Sequence, residues 1–251
     1  MIDTHCHLFL MEGEPTDLVR QAEAAGVGVL VCVGVDRASS HRSRELADSL
    51  PGVFATAGVH PHDAKDFDDA TGAEIEELLS DPRVVAVGET GLDHYRMLSP
   101  AEEQERVLRA HCSLAREHDK PIVVHTRDAW PDVLRVLDEE RLDRVILHCF
   151  SGGEEEAREA SRRGYYCSFA GPVTYAKNEQ LRAAAAIVPE HLLLVETDSP
   201  YLPPQALRGR QNAPANLRLN LEAVAEARGQ DLAELETVTD RNARSAFALP
   251  E

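Results

Sequence analysis

The sequence predicts an α/β fold, a TIM-like (β/α)8 barrel formed as a single domain over residues 1–251, and three observations carry that expectation. Eight short runs rich in Val, Ile and Leu recur along the chain, amphipathic stretches separate them, and no break in composition or low-complexity linker divides the whole. An open doubly wound sheet shares the same periodicity. It lacks its usual companion signals, since no Gly-x-Gly-x-x-Gly turn follows the first run and no Gly-x-x-x-x-Gly-Lys occurs anywhere.

Taken in order, the first run, 2–7, is followed by a helical stretch at 15–25, and the second, 27–35, by one at 38–49 with Ser39 near its start. The third, 53–59, leads through Gly-Val-His-Pro-His into a helix at 70–80. The fourth, 84–89, ends on Glu89. The helix after it, 100–118, carries a start signal: Ser99 as cap, Pro100 in the first turn and Glu102 as an early acid. Runs five and six, 122–125 and 145–148, end on His125 and His148 and precede helices at 129–140 and 153–163. Run seven, 165–169, is followed by a helix at 178–187. Run eight, 192–198, ends on Asp198, and two last helices fall at 215–228 and 231–247.

Charge and cysteine content narrow the function. Lys plus Arg number 26 against 44 Asp plus Glu, a formal net charge of -18 that opposes loose binding to any polyanion. Divalent cations held at one place would reverse the local field, so a nucleic-acid substrate held there is not excluded. The five cysteines, Cys6, Cys32, Cys112, Cys149 and Cys167, are scattered and contain no Cys-x-x-Cys pair, which fits reduced thiols. Cys6 and Cys149 stand beside histidines, but alternation along a strand turns neighbours to opposite faces and favours buried filler. The chain opens on Met-Ile-Asp-Thr-His without a basic segment, and no apolar run approaches the roughly 20 residues that cross a bilayer. A cytoplasmic protein without a membrane segment is expected, as a monomer with no obligate protein partner.

The chemistry is positional. His7, Glu89, His125, His148 and Asp198 each stand at the C-terminal end of a run, with His5 two residues before His7. Barrel strands converge at that face, so residues far apart in sequence become neighbours there. His5 and His7 lie one pleat repeat apart on one face, within reach of one ion. Glu89, flanked by Gly88 and Gly91, is a carboxylate able to bridge two cations, and His125 and His148 close apolar runs as a matched pair. Asp198 ends a run so apolar that an acid there would be costly without a cation, and it is also suited to act as a general base. Glu196, two residues earlier on the same face, ranks behind it as a supporting group.

These motifs resemble those of the TatD-type metal-dependent deoxyribonucleases, a branch of the amidohydrolase-like barrels, and the resemblance runs nearly end to end. Its carriers are Ile-Asp-Thr-His-Cys-His at 2–7, Gly-Val-His-Pro-His at 58–62 and Gly-Glu-Thr-Gly-Leu-Asp at 88–93. Further along come Pro-Ile-Val-Val-His-Thr-Arg-Asp-Ala at 121–129, His-Cys-Phe-Ser-Gly at 148–152 and Glu-Thr-Asp-Ser-Pro-Tyr-Leu at 196–202. The resemblance implies one metal held by His5, His7, Glu89 and Asp198 and a second by Glu89, His125 and His148. Zinc, manganese and magnesium are all admitted, and ligation this rich in histidine favours zinc or manganese. It also implies that His60, His62, Arg208, Arg210 and Asn212 approach the substrate. The chain departs from the family pattern at Leu108 and His111, where phenylalanine and glutamine are expected, and at Ala213, where a larger or acidic residue is usual.

The expected reaction is hydrolysis of DNA phosphodiesters by a metal-activated water, nucleotide by nucleotide in the 3′–5′ direction. Asp198, Glu89 and His62 are its catalytic residues, and Arg210 shares with His62 the orienting of the phosphate. A hydrolase of small amides, esters or lactones is the first rival, because the same ions polarise a carbonyl and aromatic residues make up only 5% of the chain, leaving few stacking platforms for bases. A non-catalytic metal-binding scaffold is the second. It explains least, because structural sites are usually closed and four-coordinate, without a carboxylate placed as a base.

Overall fold

Strands buried on both faces leave their outermost backbone groups unpaired unless the sheet meets itself. In the computed structural model, which describes residues 1–250, it does so. The strands are β1 (Ile2–Cys6), β2 (Val29–Val33), β3 (Val53–Ala57), β4 (Val84–Asp93), β5 (Ile122–Arg127), β6 (Val145–Leu147), β7 (Tyr166–Phe169) and β8 (Leu193–Val195). They lie in sequence order, each parallel to the next. The seam between β8 and β1 is shut by the chain just past β8: Asp198 N–H donates to His5 O at 2.9 Å and His7 N–H to Ser199 O at 2.7 Å. The expected (β/α)8 barrel is therefore the observed one.

Helices α1 (Pro15–Ala24), α2 (Arg37–Ser49), α3 (Asp69–Leu79), α4 (Ala101–Glu117), α5 (Trp130–Glu140), α6 (Glu154–Arg162) and α7 (Glu179–Ile187) follow the successive strands. Their apolar stripes bury against the outward residues of the sheet, such as Leu30, Ala55, Val84, Val124, Leu147 and Leu193. The final pair is α8 (Leu217–Arg228) and α9 (Leu232–Phe247). Ala243, Ala246 and Phe247 of α9 join Val31, Val85, Val123, Ile146 and Leu194 in a second apolar cluster. Asn242 Nδ2 donates to Glu190 O and Leu193 O, which fixes α9 across the N-terminal end of the barrel and leaves the opposite end open for chemistry. No helix among the described residues is long and apolar enough to cross a membrane.

The structure corrects several boundaries. β4 does not stop at Glu89; it continues past both glycines to Asp93. Gly88 and Gly91 adopt φ of 124° and 141°, and a Cβ on Gly91 would stand 2.0 Å from His125 O, so the strand passes where only glycine lets β5 approach. β8 is shorter than its apolar run because Thr197 leaves the ladder to bind Asp3, its N–H donating to Oδ1 at 2.9 Å and its hydroxyl to Oδ2 at 2.6 Å. Ser99 does not cap α4: its hydroxyl donates to His62 O at 2.7 Å and accepts from Lys65 N–H at 3.1 Å, tying the loop after β3 to the start of α4. Ser39 lies inside the first turn of α2, where Asp36 is the cap and the two residues bond reciprocally.

Candidate active site

Alternation along parallel strands stacks inward side chains in layers, and the layer above the apolar cluster is polar. β5 presents Val123, then His125, then Arg127 inward, and the segment from β8 presents Leu194, Glu196 and Asp198. Six residues expected to act together, His5, His7, Glu89, His125, His148 and Asp198, do meet at this level.

They meet as two sets that share Glu89. On one side, His5 Nε2 lies 3.3 Å from His7 Nε2, 3.3 Å from Glu89 Oε2 and 3.8 Å from Asp198 Oδ1, while His7 Nε2 lies 3.5 Å from Asp198 Oδ1. On the other, Glu89 Oε1 lies 2.9 Å from His148 Nε2 and 3.1 Å from His125 Nδ1, and those two nitrogens are 3.4 Å apart. Donors arranged tetrahedrally at about 2.0–2.1 Å from one ion stand about 3.3 Å from each other, so both sets have the spacing of a coordination shell.

The outer hydrogen bonds decide which ring nitrogens carry protons. His7 Nδ1–H donates to Val33 O at 2.8 Å, His148 Nδ1–H to Glu196 Oε1 at 3.1 Å and His125 Nε2–H to Asp93 Oδ2 at 3.3 Å. In the neutral rings each remaining nitrogen then turns a lone pair into the cluster, the orientation a metal ligand needs. His5 has no partner for its buried Nδ1 and also faces the cluster with Nε2.

His60 differs. It stands near Glu89 and His125 at ligand-like distances. Its Nδ1, however, accepts from His62 N–H at 3.1 Å, so in the neutral ring the proton is on Nε2, 3.4 Å from Glu89 Oε1. That turns an N–H of His60, rather than a lone pair, toward the shared carboxylate, and burial holds its imidazole well below the usual range.

The field of the site calls for positive charge. Burial pushes Glu89 upward, but His148 and the hydrogen bonds of His125 and His148 prevail and hold it well below the ordinary carboxylate range. Asp198 is likewise lowered against its burial by His7, His148 and His5. Conversely, Glu89 and Glu196 on either side raise His148 far above an ordinary histidine despite its burial. Anionic carboxylates and inward lone pairs in one buried pocket suit divalent cations.

Asp93, not singled out from the sequence, proves central. Fully buried, it receives His62 Nε2 at 2.9 Å and His125 Nε2 on one oxygen, and the N–H groups of Tyr95 and Arg96 on the other. Its signal was the acid that closes Gly-Glu-Thr-Gly-Leu-Asp at 88–93, beyond the expected end of the fourth run at Glu89.

The expected substrate-binding residues separate. His60 and His62 line the cluster. Arg208 and Arg210 lie exposed in the loop after β8, with Arg208 5.0 Å from the centroid of the Tyr175 ring. Asn212 is 0% exposed; its amide donates to Thr197 O and Tyr201 O, and its oxygen accepts from Ala213 N–H and Asn216 Nδ2. No side-chain polar atom of Asn212 is left for a ligand, and its work is to hold the loop. Cys6 donates its thiol to Val31 O at 3.5 Å, away from the cluster, as buried filler would.

A closed barrel with histidines and carboxylates converging at the C-terminal ends of its strands defines the metal-dependent hydrolase class. The chain belongs to the TatD related DNase family, whose model matches residues 2–248. It is 37% identical over 254 residues to the metal-dependent hydrolase YabD of Bacillus subtilis, covering 99% of each chain. It is 39% identical over 240 residues to the 3′–5′ ssDNA/RNA exonuclease TatD of Escherichia fergusonii, covering 93% of this chain and 92% of the other. Among solved structures, the TatD homologue YJJV of Escherichia coli superimposes with a TM-score of 0.93 at 28% identity, over 100% of this chain and 98% of that one.

Proposed function

We propose that this chain is a nuclease that removes nucleotides from a DNA end in the 3′–5′ direction, using two divalent cations at the sites that share Glu89. The observation that carries the reading is the shared carboxylate: its two oxygens face two separate sets of inward lone pairs. Relatives at 37–39% identity are named metal-dependent hydrolases and 3′–5′ ssDNA/RNA exonucleases, which supports phosphodiesters as the substrate.

His5, His7, Glu89 and Asp198 would hold one cation, and Glu89, His125 and His148 the other. Zinc or manganese suits the imidazole content better than magnesium. Bound cations would supply Lewis acidity, bringing the pKa of a water down towards neutrality and offsetting charge that builds on phosphoryl oxygens. Asp198, kept ionised by its histidines, accepts the proton released by the attacking water. His62 is turned by Asp93 and, at 25% side-chain exposure, is the histidine that reaches the phosphate. Glu196 and Asp93 fix the ring orientations of His148 and His125. The five thiols, all unpaired, agree with a reduced cytoplasmic setting, and a monomer is part of the proposal.

The test is chelator-stripped protein, reconstituted with single metals and offered 3′- or 5′-end-labelled DNA beside a panel of esters and lactones. Metal-dependent ladders that shorten from the 3′ end are expected. Turnover of a small carbonyl compound with DNA left intact would overturn the reading.

A further inference from the structure

Acid outnumbers base in this chain by 44 to 26, so an arginine finds a carboxylate easily. Arg109 meets Glu105, Glu139 and Glu140, Arg135 meets Glu105 and Glu139, and Arg163 meets Asp138 and Glu159. Arg127, like Arg208 over Tyr175, is one of the arginines that do not. No carboxylate among the described residues pairs with its guanidinium, although it is half-buried at the open end of the barrel. Asp93, its register partner on β4, already spends both oxygens on His62, His125 and two backbone N–H groups.

What holds Arg127 is a ring. Its guanidinium carbon sits 3.9 Å from the centroid of Tyr95, a side chain that is itself 63% exposed at the rim. Stacking occupies one face of the guanidinium and leaves its edge, with the N–H donors, free. Its place on β5, two residues beyond His125, turns it to the same inward face. Near the cations' ligands, a stacked arginine with an unspent edge has the geometry of a two-pronged phosphate clamp.

We propose that Arg127, steadied by Tyr95, binds a backbone phosphate of single-stranded nucleic acid next to the one being cleaved. The inference rests on the phosphodiesterase reading above and deepens it. Arg127 supplies locally the positive charge that the chain as a whole lacks, and Tyr95 is the positioning residue that fixes the guanidinium plane.

The experiment uses metal-loaded enzyme with a labelled single-stranded oligonucleotide and, separately, bis(p-nitrophenyl) phosphate, a diester with no neighbouring phosphate. Arg127→Ala should raise the oligonucleotide KM by about tenfold or more, as expected for losing a charge-assisted contact. It should also reduce the slope of log KM against log salt by about 0.7, the share of one phosphate on a single strand. Turnover of the small diester should stay within about twofold of wild type, a difference too small to count as a lost contact. Arg127→Lys should keep the salt slope while recovering only part of the KM, and Tyr95→Leu, at an exposed ring, should raise KM about threefold. Those last two variants carry the test if Arg127→Ala does not fold. An unchanged KM and salt slope, or equal damage to the small diester, would overturn the assignment while leaving the nuclease reading intact. Wild-type enzyme that leaves DNA whole would instead overturn both.

Discussion

Replacing His111 by glutamine should remove a specific dependence of stability on pH. His111 is completely buried in α4; its Nδ1–H donates to Val107 O at 2.8 Å and its Nε2 accepts from Val59 N–H at 3.0 Å. A second proton would set N–H against N–H, and burial lowers the imidazole to about 4 from the ordinary 6.5. The unfolded chain therefore takes up this proton first as pH falls. The neutral ring's contribution is complete above about 6.5 and is lost progressively down to about 4. Integrated, that is about 2 kcal/mol lost by pH 5 and about 3 kcal/mol by pH 4. Urea unfolding of wild type and His111→Gln at pH 7.5 and pH 5 isolates the effect, because the other titrating groups are common to both proteins. The stability difference between the two should shift in favour of the glutamine variant by about 2 kcal/mol over that interval. A difference that stays constant would refute the argument. Val59 immediately precedes His60, so acid should also loosen the segment bearing His60 and His62.

Three further outcomes are expected. Asp198→Asn should retain most of its metal, measured by elemental analysis, while kcat falls by about 10²–10⁴-fold; undiminished hydrolysis would remove Asp198 as the base. Glu196→Gln takes a charged acceptor from His148 Nδ1–H, and metal affinity measured by chelator competition should weaken by about 10–100-fold, with an unchanged affinity counting against the orienting role. Gly91→Ala places a methyl 2.0 Å from His125 O at a φ of 141°, so soluble yield and thermal midpoint should drop as for a loss of more than about 3 kcal/mol. A stable, active Gly91→Ala protein would contradict the close approach of β4 and β5.

The barrel was legible in the sequence because most strands are apolar runs and five of the eight runs end on a residue that apolar surroundings do not tolerate without cause. His125 after Ile122, Val123 and Val124, and Asp198 after three leucines and a valine, are of this kind. What stayed hidden is tertiary. Glycine at 88 and 91 signals room for close backbone packing, but only the neighbouring strand shows that β4 runs on through both. Asp93 lay beyond the expected end of that run, and the proton positions that separate His60 from the ligands depend on a backbone N–H two residues away. Asn212 sits in a polar loop, but its burial follows from how that loop folds back on Thr197 and Tyr201.

The join between the first and last strands has a consequence for how the molecule comes apart. Two backbone hydrogen bonds that fasten it are donated by the N–H groups of His7 and Asp198, with His5 as one acceptor, so the clasp of the ring and the grip on cations share residues. Loosening either slackens the other. Amide exchange at positions 7 and 198 should report cation loading directly, with the barrel opening along this line before any other when the cations are withdrawn.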